Sequence, residues 1–195
     1  MRDIIFATKN KDKIKEIKAV LGDKYNILSM EDAGVSDDIE ENGTTFEENA
    51  LIKAKFVMKK TGKLVLADDS GLEIDYFDKK PGVYSARFMG KDTPYSEKNR
   101  QILQKMEGVP EEKRSARFVC AIACAMPEGG SFTVRETIEG IIGYEIKGEN
   151  GFGYDPIFFV PELNKTTAEL TMEEKNKISH RGKALVLMRE QLEKI

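Results

Sequence analysis

Two cysteines and a single histidine are all the cysteine and histidine ligands that these 195 residues offer. A zinc site takes about four ligands, so no zinc centre is expected. Cys120 and Cys124, in "RFVCAIACAM", fall on one face if this stretch is a strand. They then stand ~13 Å apart along it, whereas a disulfide needs Cα atoms within roughly 7 Å of each other. Buried free thiols in a reducing compartment are the expectation. Long apolar runs are lacking too, for no stretch approaches the ~20 residues of a membrane helix. The opening MRDIIFATKN has too short an apolar run for a signal peptide. A cytoplasmic protein with no membrane partner is expected. An excess of one charge is also missing, with 31 Lys+Arg against 34 Asp+Glu and a formal charge of −3. Duplex-binding proteins are usually basic overall. Nucleic acid is therefore not an expected partner, while a local basic pocket for a small anion stays open. The chain has no internal repeat, low-complexity tract or long linker.

What is present is an ordinary mixture for a globular chain, 40% hydrophobic and 33% charged, and long enough for a sizeable core. Strands are expected over 3–8, 63–68, 115–126, 131–143 and 156–161, and helices over 11–21, 45–60, 93–107 and 179–195. Ile14, Ile17 and Leu21 share one side of the first helix. Thr45 and Glu48 have capping-box spacing at the start of the second, and Gly62 stops it. Pro127-Glu128-Gly129-Gly130 is a hairpin signal. This order predicts an α/β protein, a single domain over 1–195. Its mixed sheet would carry flanking helices, with two lobes around a central cleft.

Polar clusters interrupt that frame. "VLADDSGLEID" (65–75) drives an apolar strand into two acids, a hydroxyl and a glycine. Side chains alternate along a strand, so Asp68 and Asp69 face opposite ways and one of them meets a given cleft. Carboxylates at a strand end place Mg²⁺ beside phosphates. The plainer reading is an Asp-Ser-Gly turn. "ATKNKDK" (7–13) leads a strand into a helix N-terminus, whose free N–H groups suit an anion. Thr8 and Asn10 add hydrogen-bonding side chains, and Lys9, Lys11, Lys13, Lys15 and Lys18 make this the most basic stretch. The Walker A pattern is absent, and on these residues alone a capped surface helix with solvated lysines is the favoured reading.

The acidic run "SDDIEENGTTFEENA" (36–50) sets Glu40 and Glu41 just before the second helix. On that helix, at ~100° per residue, Lys53 falls ~20° from Phe46 and Asn49 ~60° away. An ammonium and an amide thus border the apolar arc. Acids hold phosphate only through a cation, so Glu40 or Glu41 belongs either to a metal site or to a solvated loop. Arg87, in "PGVYSARF" (81–88), either clamps a phosphate or pairs with a carboxylate. "GENGFGYDPIFF" (148–159) sets Phe152, Gly153, Tyr154 and Asp155 in a glycine-rich bend. An aromatic there can stack on a base. Asp155 either accepts from a ring N–H or orients the turn before Pro156. "EEKNKISHRGKA" (173–184) holds the one histidine. With Ser179 as helix cap, His180 and Arg181 present donors in the first turn, and Lys175 precedes them.

Several pieces recur in one order: T-x-N-x-x-K (8–13), E-E-N-G-T-T-F-E-E-N-A (40–50) with Lys53, A-D-D-S-G-L (67–72), P-G-V-Y-S-A-R-F (81–88), G-F-G-Y-D-P-I-F (151–158) and K-x-x-I-S-H-R-G (175–182). Together they resemble the inosine/xanthosine triphosphate pyrophosphatases, and they span nearly the whole chain. The resemblance implies hydrolysis of ITP, dITP and XTP to the monophosphate and pyrophosphate. It implies that Thr8, Lys9, Asn10, Lys11, Asp12, Lys13, Lys53 and Lys175 contact the triphosphate. Glu40 and Asp69 would serve Mg²⁺, with Asp69 also the general base and Ser70 touching substrate. Phe152 to Asp155 would stack on and line the base, and His180 and Arg181 would recognise its 6-keto edge. A homodimer is implied as well.

Lys9 and Asp12 depart from the family's usual first-loop glycines, and "DYFDKKPG" lacks the glycine pair that commonly precedes P-G-[VI]-x-S-A-R. The alternatives are a Maf-like pyrophosphatase of modified pyrimidine nucleotides and a non-catalytic nucleotide-binding regulator. The Phe152 loop and Ser-His-Arg fit the purine family better, and Asp69, Glu40 and Lys53 favour turnover.

Overall fold

Asn10 starts the first helix because its side chain accepts the N–H groups of Asp12 and Lys13, two of the donors a helix start leaves unpaired. The second helix starts on a full capping box between Thr45 and Glu48, and ends on Gly62 in the left-handed conformation, φ 63°. A computed structural model describes residues Met1–Ile195. Its elements are β1 (Arg2–Phe6), α1 (Lys11–Leu21), β2 (Tyr25–Ser29), α2 (Phe46–Thr61), β3 (Val65–Ile74), β4 (Lys80–Pro81), α3 (Tyr95–Lys105), β5 (Ser115–Ala125), β6 (Ser131–Ile142), β7 (Phe158–Val160), β8 (Lys165–Thr166), α4 (Met172–Ile178) and α5 (His180–Leu192).

The strand order is β2-β1-β3-β5-β6-β7-β8, with β4 on β3. β1 runs parallel to β2 and β3, while β7 is antiparallel to β6 and β8. The sheet is therefore mixed, as expected. Two compact units share the chain. The first holds residues 1–70, 120–136 and 180–195, the second 71–119 and 137–179.

In the first unit helices cover the strands on both faces, and the alternation of each strand sorts its residues between them. Ile4, Phe6 and Leu66 pack with Ile17 of α1 and with Leu185 and Met188 of α5. Ile5, Val65 and Ala67 pack instead with Ala50, Ala54 and Val57 of α2. In the first part of β3, Leu66 thus faces α1 and α5, while Val65 and Ala67 face α2. The second unit has its own core, in which Leu72, Ile74, Ile102, Phe118 and Phe158 meet. No helix is long and apolar enough to cross a membrane.

β3 does not stop at residue 68 as expected; it carries on through both acids to Ile74. The expected final helix, 179–195, is preceded by the separate seven-residue α4, with extended Ser179 between them. β2 and the two-residue β4 and β8 were not anticipated. Cys120 and Cys124 are buried and free, as expected.

Candidate active site

The continuation of β3 settles where the two acids go. Asp68 follows Leu66 toward α1 and α5, and Asp69 follows Ala67 toward α2. Asp68 has a fully buried side chain, 2.9 Å from the Lys13 ammonium and 3.3 Å from Arg181 Nε. It also accepts the Ser70 hydroxyl at 2.9 Å. Arg181 is buried as well, pairs with Glu16 through Nη1 and reaches Ser70 Oγ with Nη2 at 3.3 Å. Burial alone would raise the Asp68 carboxyl. Lys13, Arg181 and Lys53 outweigh it and hold the group well below the usual carboxylate range. Arg181 is raised, because Asp68 and Glu16 more than offset its desolvation. The result is a fixed ion network of Lys13, Asp68, Arg181 and Glu16.

Asp69 is different. It is 8% exposed, accepts Asn49 Nδ2 at 3.1 Å and lies 3.8 Å from the Lys53 ammonium. Burial pushes its carboxyl up to about 6; Lys53 opposes that, and the Glu41 charge adds to it. Lys53 Nζ is 2.9 Å from Glu41 Oε2. Burial would lower that ammonium, but the charges of Asp69, Asp68 and Glu41 prevail and its pKa is raised. Of the two loop acids it is Glu41 that joins this group, whereas Glu40 is exposed. Asn49 is held in turn by the Gly43 N–H at 2.8 Å. A Cβ at Gly43 would stand 2.7 Å from Asn49 Oδ1, so a larger residue would force the loop away from α2.

The β1–α1 turn divides its side chains. Thr8 Oγ1 accepts the Asn10 N–H at 3.1 Å, and Asn10 Oδ1 accepts from Asp12 and Lys13, so both shape the turn itself. Lys13 alone among the helix lysines pairs with Asp68. Lys9 turns to Asp38 and the Ser36 carbonyl, and Lys15 pairs with Asp12. Thr8, Lys9 and Lys11 border a cavity of about 590 Å³ with Ser29 and Ser36. Ser70 donates its N–H to Asp69 Oδ1 at 3.1 Å. His180 is buried at the start of α5.

In the second unit, Asp155 organises the glycine-rich loop. Its carboxylate accepts the Lys175 ammonium at 2.7 Å, the Phe152 N–H at 2.9 Å and the Thr167 hydroxyl at 2.8 Å. Of the two readings of Asp155, orienting the turn is the one the contacts carry. Gly151 has φ +71°, and a Cβ there would meet Asp155 Oδ2 at 2.2 Å, so only glycine fits. Lys175 is buried, with its ammonium 4.9 Å from the Phe152 ring centre. Tyr154 is buried and donates its hydroxyl to the Ser85 carbonyl at 2.7 Å. Arg87 is exposed and stacks 5.1 Å over the Tyr84 ring.

Sequence reasoning had passed over Glu16 and Asn99. Glu16 interrupts the buried side of α1 beside Ile17, and a buried acid there signals a distant basic partner. Asn99 donates to the Gly153 carbonyl at 3.0 Å.

The fold and these contacts define a mixed-sheet α/β protein whose acids on β3 are served by lysines and an arginine of the flanking helices. The chain belongs to the Ham1 family, whose model matches residues 4–191. It is 50% identical over 186 residues to a dITP/XTP pyrophosphatase of Bacillus licheniformis, covering 95% of each chain. A dITP/XTP pyrophosphatase of Exiguobacterium sibiricum is 52% identical over 183 residues, 93% of this chain and 92% of that one. The solved HAM1 protein of Coxiella burnetii superposes with a TM-score of 0.89 at 41% identity, covering both chains fully. These names agree with the family that the motifs resemble.

Proposed function

We propose that the protein is a nucleoside triphosphate pyrophosphatase. It hydrolyses noncanonical purine nucleoside triphosphates (ITP, dITP and XTP) to the monophosphate and pyrophosphate, and so cleanses the nucleotide pool. The observation that carries the mechanism is Asp69: a buried, raised carboxylate beside Lys53 and Asn49, next in sequence to an acid that is locked in ion pairs. Asp68 holds the middle of β3 in place. Asp69 accepts a proton from the water that attacks the α-phosphorus. The bond from that phosphorus to the bridging oxygen breaks, and pyrophosphate leaves.

A divalent ion suits these residues. Asp69 and Glu41 place two carboxylate groups around one ammonium, and together with Asp68 they raise its pKa. Mg²⁺ takes one or two carboxylates along with substrate phosphates and waters. Asp69 with Glu40 would hold it, and Glu41, on the Lys53 ammonium, stands beside Glu40 in the same loop. When bound, the ion would polarise phosphate oxygens and orient the triphosphate.

Lys13 and Lys53 neutralise phosphate charge, with the Thr8–Asp12 turn presenting its backbone and Lys11 to the same group. Lys175 serves the triphosphate while bracing Asp155. Phe152, Gly153, Tyr154 and Asp155 line the base, and Ser70 and Arg87 contact substrate. His180 and Arg181 serve the 6-carbonyl end of the base, Arg181 from within its pairs with Asp68 and Glu16, and donors there leave an adenine amino group mismatched. The whole chain acts as one domain, in a cytoplasmic homodimer.

The test is a product assay with ITP, XTP, GTP and ATP, each with and without Mg²⁺. IMP or XMP with pyrophosphate, dependent on Mg²⁺ and with ATP and GTP nearly untouched, is the expected result. Nucleoside diphosphate with phosphate would place the attack at the γ-phosphorus and overturn the mechanism. Binding without cleavage would leave the regulator reading, and cleavage of modified pyrimidine nucleotides alone the Maf-like one.

A further inference from the structure

Residues 151–155 contain two left-handed glycines, Gly151 at φ +71° and Gly153 at φ +67°. A segment with that backbone freedom has many conformations to choose from, yet a loop that reads a base must keep one. Asp155 fixes its two ends, and Tyr154 is tied to Ser85. The peptide between them, at Gly153, is held from α3: Asn99 Nδ2 donates to its carbonyl at 3.0 Å.

The same face of α3 carries Tyr95, Lys98 and Asn99, spaced at i, i+3 and i+4. Tyr95 meets the Tyr154 ring edge-on, with centroids 5.1 Å apart. Lys98 is 1% exposed, donates to the Ala86 carbonyl at 2.8 Å and lies 4.8 Å from the Tyr95 ring centre. One helix face thus holds the glycine-rich loop and the 81–88 loop together.

This face is poorly chosen for stability alone. The Asn99 amide is buried, and its Oδ1 has no hydrogen-bond partner. Lys98 buries an ammonium against a carbonyl and a ring, and burial lowers its pKa. Apolar side chains would fill both places without those penalties. What Asn99 supplies that leucine cannot is the donor that pins Gly153.

We infer that Asn99 is a positioning residue for nucleobase discrimination: through the Gly153 carbonyl it fixes the loop that lines the base, and so fixes how a 6-oxopurine or a 6-aminopurine is presented for recognition. The inference rests on the proposed pyrophosphatase reading.

The experiment compares wild type, Asn99→Leu and Asn99→Ala on dITP and dATP, with thermal midpoints and hydrogen exchange over residues 151–155. Asn99→Leu should keep or raise the midpoint and speed exchange in the loop. It should also raise KM for dITP and lower the dITP-to-dATP ratio of kcat/KM by about ten-fold. Asn99→Ala gives the same readings if leucine packs poorly. A purely structural role would scale both substrates alike. Variants with wild-type KM and an unchanged ratio, or an equal loss on both nucleotides, would overturn the inference while leaving the proposed function standing. A wild-type protein that leaves dITP intact would overturn both.

Discussion

Asp69→Asn should lower kcat for dITP by about a thousand-fold, the scale of losing a positioned general base, while the protein stays folded. The amide has the shape of the carboxylate and can still accept from Asn49. Lys53 keeps Glu41 as its partner. The variant also removes a buried charge that its surroundings disfavour. The neighbouring change should do the reverse. Asp68→Asn strips Lys13 and Arg181 of the carboxylate between them, and breaking a buried ion pair from one side costs about 3 to 5 kcal/mol. Urea unfolding and single-turnover kinetics separate the two cases. A folded, fully active Asp69→Asn would remove Asp69 from the chemistry. An Asp68→Asn protein as stable as wild type would show that the ion network does not hold the strand.

That contrast is half legible in the sequence. A period of two says that adjacent residues of a strand face opposite ways, so one of the acids had to differ from the other. Which of them faced α2 depended on where the helices lay. α1 was readable from the spacing of Ile14, Ile17 and Leu21, and α2 because its caps are local: the Thr45–Glu48 box and Gly62 act within a few residues of themselves. α4 carries the same signal, Thr171 with Glu174. It is only seven residues long and largely polar, so no apolar stripe announced it. β2 was hidden for a related reason, since only Ile27 of its five residues is buried.

The site was legible as a set of residue types and blurred as a set of partners. Glu41 and Glu40 lie in a loop without periodicity, and nothing local separates them. Only the approach of Lys53 from α2 picks Glu41. Glu16 meets Arg181 across 165 positions of sequence, and Asn99 meets Gly153 across 54. Such pairs follow from how elements pack, and a single sequence carries no period for them.

Arg114→Met should destabilise the protein by about 3 to 5 kcal/mol, measured as a lower urea midpoint with an unchanged slope. Arg114 is 2% exposed and lies in the second unit. It spends its donors on backbone carbonyls: Ile142 through Nε at 2.7 Å, Met106 at 2.7 Å and Val109 at 3.3 Å through Nη1, and Gly143 through Nη2. The Tyr144 ring covers the guanidinium, with its centre 4.2 Å away. Burial lowers the pKa of the group, yet four carbonyl dipoles take the place of a counter-ion. Met106 is at the C-terminal end of α3, where the helix dipole favours a cation. Replacing a buried polar pair by apolar groups is often neutral, but here the acceptors are main chain and no substitution removes them. Methionine fills the volume and takes the guanidinium from those carbonyls, at about 1 to 3 kcal/mol before relaxation for each one left unpaired, while the Met106 carbonyl keeps the Val109 N–H. Arg114→Lys should recover only part of the loss, because one ammonium cannot reach acceptors spread around a planar fork. A methionine variant within about 1 kcal/mol of wild type, the range of an ordinary substitution, would mean that the carbonyls find water or each other. The same staple fixes the end of the helix that carries Asn99. Any Arg114→Met protein that still folds should therefore also show a raised KM for dITP, since loosening Met106 frees the far end of the face that pins Gly153.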